Sequence, residues 1–64
     1  MNKPQWKDAP EWAEWLAMDD DLKWFWFEVE PFVEHGRWIE YENRIKDAEV
    51  IGGVFWTKSL EGRP

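Results

Sequence analysis

Three groups of side chains could do chemistry: clustered carboxylates, a single histidine and a set of tryptophans. Asp19, Asp20 and Asp21 stand together and could offer oxygens to a calcium ion. A calcium loop also needs ligands at spaced positions, a glycine at the sharp turn and a distal glutamate. Leu22 and Lys23 follow instead, so the run reads as a turn carrying solvated acids. His35 is the only histidine and Ser59 the only serine, and cysteine is missing. A general base needs a partner within reach. The sequence marks none, so His35 reads as a loop residue beside Gly36. With one histidine and no cysteine there is no zinc cluster. Glu28, Glu30, Glu40 and Glu42 could pair across strands as glycosidase carboxylates do. A chain of 64 residues offers little cleft to hold a sugar, so they read as a polar rim with Arg37, Arg44 and Lys46 as counter-charges. That leaves Trp24, Trp26 and Trp38, because tryptophan is enriched at binding hot spots. The competing reading is that these rings are simply buried, under a helix or a terminal segment such as that of Trp6. No catalytic residue, metal or cofactor is expected.

The elements that position these groups follow from periodicity. Over residues 8–18, "DAPEWAEWLAM", Asp8 is a good N-cap and Glu11 completes a capping box. Pro10 fits a first helical turn, and Trp12, Trp15 and Leu16 share one helical face. The spacing predicts a helix that ends near Met18, before three acids unfavourable at a helix C-terminus. Residues 23–30, "KWFWFEVE", alternate and end at Pro31, which predicts strand one. "FVEHG" predicts a loop with Gly36 at positive φ. Residues 37–43 predict strand two, "RIKDAE" a connection, and residues 50–58 strand three. Gly52 and Gly53 there predict a bulge or a backbone packed under a large ring.

The expected fold class is therefore α+β: a short N-terminal helix and a three-stranded antiparallel β-meander in a single domain. Its core would hold Phe25, Phe27, Val29, Ile39 and Tyr41 beneath Trp12 and Leu16. The other sheet face would carry Trp24, Trp26 and Trp38, rimmed by Glu28, Glu40 and Glu42. Which face the helix covers is open from sequence.

Size and charge bound the function. A 64-residue domain is marginal in core, and disulfides, metals or oligomerisation commonly compensate. Heavy aromatic packing, self-association or both are expected here, with seven Trp, four Phe and one Tyr. Each buried aromatic removes roughly 150–250 Å² from water, about 4–6 kcal/mol as an upper bound. A net charge of −6 disfavours phosphate backbones and anionic membrane surfaces. There is no long apolar run and no signal-peptide core, so a cytoplasmic location is expected. The chain ends are expected to be loose, unless "SLEGRP" docks through Leu60.

"DAPEWAEWLAMDDDLKWFWFEVEP" together with "WTKSLEGRP" resembles a group of small tryptophan-rich bacteriophage proteins. That group carries an Asp-Ala-Pro-Glu-Trp-Ala start, an Asp-x-Asp-Gly-x-Trp-x-Trp-Phe-Glu centre and a Ser-Leu-Glu-x-Arg-Pro end. The likeness covers both ends and the centre, while residues 32–50 carry little of it. Leu22 departs from it, standing where the pattern prefers Gly. Either the turn is remodelled or Asp21 takes the left-handed position. The resemblance implies a phage accessory protein and no particular mechanism.

The function expected is non-enzymatic: binding and modulating a host or defence protein, with a basic surface, in the host cytoplasm. The binding residues would be Trp24, Trp26, Trp38, Glu28, Glu40 and Glu42, and a homo-oligomer is a further expectation. One alternative is a binder that sequesters a nucleotide or sugar on a tryptophan platform. Another is an acidic mimic of nucleic acid. Direct contact with nucleic acid or membrane is not expected.

Overall fold

A computed structural model describes residues 3–40, 43–53 and 55–64. Trp15–Met18 form β1 and Lys23–Phe27 form β2. They pair antiparallel, with Trp15 opposite Phe27, Leu16 opposite Trp26, Ala17 opposite Phe25 and Met18 opposite Trp24. This corrects the helix expected over residues 8–18, and with it the α+β class: the described residues hold strands and two short 3-10 turns, Trp6–Asp8 and Trp56–Lys58. The reason is burial on both sides. Leu16 and Met18 lie on one face of the sheet, Trp15 and Ala17 on the other, and Leu16, Ala17 and Met18 are all fully buried. A strand covered on both faces reads as a continuous apolar run without alternation. Its Trp15–Leu16 pair can then pass for a helical stripe.

Residues 19–22 turn the chain between these strands. The Asp19 N–H donates to Lys23 O at 3.0 Å, and the Leu22 N–H donates to Asp19 O at 2.9 Å. A tight turn followed by a left-handed residue is a common three-residue hairpin loop, and that last position favours Gly. Leu22 itself occupies it, at φ 69. The turn is neither remodelled nor handed over to Asp21.

Two more strands complete the main sheet, in the order β5-β2-β1-β6. β5 is Ile45–Ile51, an edge strand antiparallel to β2. Residues 45–49 were expected to be a connection and residues 50–58 a strand. Charge misleads here, because an edge strand is open to water and tolerates Lys46, Asp47 and Glu49. β6 is Glu61–Gly62, paired to β1. β3, Phe32–Glu34, and β4, Arg37–Ile39, form a separate two-stranded hairpin. His35 at φ 49 and Gly36 at φ 83 are its two turn residues, as a two-residue turn with the twist of the strands requires. Gly36 thus has the positive φ expected of it. Strand two is shorter than expected, and Tyr41 and Glu42 lie outside the described residues.

Each face of the main sheet carries a packed cluster. On the first, Leu16, Met18, Trp24 and Trp26 pack with Ala13 under Trp6, Ala9 and Trp12 of the N-terminal segment. On the second, Ala17 and Phe27 pack with Trp38 of the hairpin, and with Trp15, Phe25 and Leu60 around them. Trp56 touches both clusters. Gly53 closes the first cluster from the side. A Cβ there would sit 2.8 Å from Met18 Sδ, so the close approach expected of the glycine pair occurs at Gly53.

The final residues fasten the start of the chain. Met18 N–H donates to Ser59 Oγ at 2.8 Å. The Glu61 carboxylate accepts from Lys3 Nζ, and from Trp6 Nε1 at 2.6 Å. Arg63 donates through its backbone to Glu14 O at 2.7 Å and through its guanidinium to the carbonyls of Pro10 and Ala13. Its guanidinium also lies 5.5 Å from the Trp6 ring centroid. The expected loose C-terminus is instead a strap, and Leu60 joins the second cluster.

Candidate interaction surface

The tryptophans expected to share an open face do not share one. Trp24 and Trp26 retain 5% and 3% of their surface, and Trp38 retains 9%. Trp24 and Trp26 belong to the first cluster and Trp38 to the second. Each ring is held by its own partners. Trp24 Nε1 donates to Gly52 O at 2.7 Å and Trp38 Nε1 to Met18 O at 3.0 Å. Trp26 meets Trp6 at 5.0 Å between ring centroids, tilted by 59°. The physical reason is size: a domain this small needs its largest apolar side chains as core.

The carboxylates expected beside them are also dispersed. Glu28 takes Arg44, which donates through Nη2 at 3.1 Å and through its backbone N–H at 3.3 Å. The backbone N–H and then the guanidinium of Arg44 hold Glu28 below its ordinary value of 4.5. Glu40 is half-buried at the end of the hairpin, and Glu42 lies outside the described residues. Asp19 is part of the scaffold, since its Oδ1 accepts the Trp38 N–H at 2.8 Å and so ties β4 to the β1–β2 turn. Burial pushes its carboxyl up from 3.8, against the lowering effect of that N–H. Asp21 accepts the Lys23 N–H. Among the described residues, no three His, Cys, Asp or Glu side chains gather as a metal site would need. His35 is exposed at the hairpin tip.

Apolar groups do remain at the surface: Val29, expected in the core, is 47% exposed, and two isoleucines that sequence reasoning did not single out are exposed as well. Ile45 is 40% exposed and Ile51 62%, both on β5. Their partners across the ladder are Phe27 and Lys23, so both isoleucines belong to the second face of the sheet. The hairpin covers that face only in part, because β4 packs on β1. Phe55, beyond the end of β5, is 73% exposed and left-handed at φ 57. No hydrophobic alternation marks this strand: Ile45 and Asp47 share one face and Lys46 and Ala48 the other, so each face mixes an apolar with a charged residue.

β5 is also irregular. Between Lys23 opposite Ile51 and Phe25 opposite Asp47 the register shifts, so residues 48–50 together oppose Trp24. Ala48 and Val50 both turn towards the first cluster. Glu49 takes φ 59 between them, with its N–H donating to Asp47 Oδ1 at 2.7 Å. A cleft of about 170 Å³ lies between this bulge and the N-terminal segment, lined by Pro4, Gln5, Asp8, Trp26 and residues 46–50. It falls below the roughly 300–1,000 Å³ usual for small-molecule sites.

Comparison with protein-family models, curated proteins and solved structures found no match to this chain. Among the described residues, no helix is long and apolar enough to cross a membrane.

Proposed function

We propose that the protein is a non-enzymatic bacteriophage accessory protein that binds and modulates a host or defence protein in the host cytoplasm. The observation that carries the interaction reading is the exposed second-face flank of β5, where Ile45 and Ile51 stay in water beside Asp47. A partner's apolar side chains placed along this flank would remove Ile45 and Ile51 from water. The phage origin rests on the resemblance of both chain ends and the centre to the tryptophan-rich group. The net charge of −6 favours a target with a basic surface. A nucleotide or sugar binder would need an open aromatic platform, and the rings of Trp24, Trp26 and Trp38 are covered.

A photo-crosslinking residue placed at Ile51 tests this in bacterial cells. The expected result is one dominant host protein crosslinked from position 51 and not from Lys7, which is exposed in the N-terminal 3-10 turn. That protein, once purified, should bind the wild type and lose about tenfold or more in affinity on Ile51→Glu, as for a hot-spot residue. Equal crosslinking from both positions, or unchanged affinity of the variant, overturns the reading.

A further inference from the structure

β5 is the longest strand of the sheet and lies at its edge. We infer that its first half adds a strand from a basic partner protein and rejects a second copy of its own chain. This rests on the interaction reading above and specifies how the partner is held.

The ladder phase decides which backbone groups are open. Glu28 N–H donates to Arg44 O at 3.0 Å, and Trp26 stands opposite Lys46 two residues along. Hydrogen-bonded pairs alternate along an antiparallel ladder. Lys46 therefore directs its N–H and C=O inward to β2, while Ile45 and Asp47 direct theirs to the open edge. The edge ends soon after. Glu49 has its N–H on the Asp47 carboxylate and its backbone in the left-handed region, and such a bulge stops further pairing. The docking window is thus residues 44–47.

Charge then selects the occupant. Two copies pairing through this window would form a two-fold, antiparallel contact in which each residue faces its mirror position. Residues with outward backbone groups must face others of the same kind, so the symmetry axis falls on a residue and not between two. An axis at Arg44 sets Arg44 against Arg44. At Ile45 it sets Lys46 against Arg44 twice. At Lys46 it sets lysine against lysine, and at Asp47 aspartate against aspartate. The Lys46 and Asp47 axes bring like charges opposite each other, which destabilises strand pairing, and the Arg44 and Ile45 axes crowd cations that the exposed Glu28 offsets only in part. The net charge of −6 on each copy adds to the repulsion. A foreign strand is free of this symmetry. It can set a cation opposite Asp47, an apolar residue opposite Ile45 and a polar residue opposite Lys46. Arg44 is already taken by Glu28. The matching occupant is an extended segment with alternating basic and apolar residues on one side.

Two experiments test this on the full chain. In the first, amide resonances are followed while a peptide, acetyl-Val-Lys-Thr-Val-Thr-amide, is added. Shifts centred on Ile45 and Asp47 are expected. A version N-methylated at the lysine and the second valine, which lacks the donors for those two residues, should bind about tenfold or more weakly, as loss of buried hydrogen bonds implies. Equal binding of both peptides overturns strand addition. Shifts confined to the β3–β4 hairpin also overturn it, yet leave the broader interaction reading standing. In the second, sedimentation equilibrium compares the wild type with Lys46→Val and Lys46→Thr. The wild type should stay monomeric at millimolar concentration, and at least one variant should dimerise, because the axis at position 46 no longer opposes two cations. A wild-type dimer, or two folded variants that stay monomeric, overturns the charge argument.

Discussion

Replacing Arg63 with alanine should weaken the fold far more than loss of an exposed residue beside the last one ordinarily would. The guanidinium donates to the carbonyls of Pro10 and Ala13 and stacks 5.5 Å from the Trp6 ring centroid. Ala13 is fully buried, so its carbonyl depends on this donor. Hydrogen bonds from a charged group contribute about 1.5–3 kcal/mol each, and an exposed cation–π contact about 0.5–1 kcal/mol. Because Arg63 itself is exposed, water replaces part of what is lost and the lower ends apply. Two bonds at about 1.5 and the ring contact at about 0.5 sum to about 3.5 kcal/mol, which the solvent exposure of Arg63 reduces to about 2–3 kcal/mol. For a domain of this size that corresponds to roughly 10–20 °C in melting temperature. Both side-chain bonds come from the single nitrogen Nη1, so Arg63→Lys, whose ammonium also carries several donors, should recover part of the loss while giving up the planar contact with the Trp6 ring. Urea titration followed by tryptophan fluorescence gives the measurement, with the midpoint lowered and the slope unchanged. An Arg63→Ala protein within about 0.5 kcal/mol of wild type, the usual range for an inert surface site, would refute the strap as a source of stability.

Two further outcomes are expected. Gly36→Ala should cost about 1–2 kcal/mol, because φ 83 is left-handed backbone that L side chains strain to adopt, while the exposed Asp20 carboxylate beside the new Cβ can swing aside; thermal melts check this, and an unchanged melting temperature counts against the turn assignment. Asp19→Asn keeps the acceptor for the Trp38 N–H but removes a partly buried charge. Since the folded-state value of Asp19 is raised, wild-type stability from this group is present below its unfolded value and is lost as pH rises through the folded one. The variant should therefore gain on the wild type at neutral pH, and the gap should shrink on acidification; a gap that widens below pH 4 refutes the assignment.

Much of the antiparallel sheet was legible because β2 alternates cleanly from Lys23 to Phe27 and ends before Pro31. Gly36 was legible too, since a Gly after a short apolar run leaves few turn geometries open. β1 was not, because alternation vanishes when Leu16 and Ala17 are buried on opposite faces. Capping logic then favoured a helix at Asp8, where the chain makes only one 3-10 turn. β5 was hidden by its charges, and β6 by having two residues. As for the candidate site, the tryptophans were read as surface because alternation along a strand shows that two faces are apolar, without showing that both are covered. The covers come from residues 6–12 on one side and from Trp38, Trp56 and Leu60 on the other, and only the tertiary fold brings them there.

The C-terminal strap has a consequence for how this chain is made. β1 lies between β2 and β6, and the carbonyls of Pro10, Ala13 and Glu14 accept from Arg63. During synthesis the two aromatic clusters thus remain unfinished until residue 63 has left the ribosomal exit tunnel. Domains built from local contacts settle as they emerge, whereas this one must wait and then close at once. A nascent chain that has not yet released residues 59–63 would display uncovered tryptophans to chaperones and proteases, which ties the quality control of the protein to this strap.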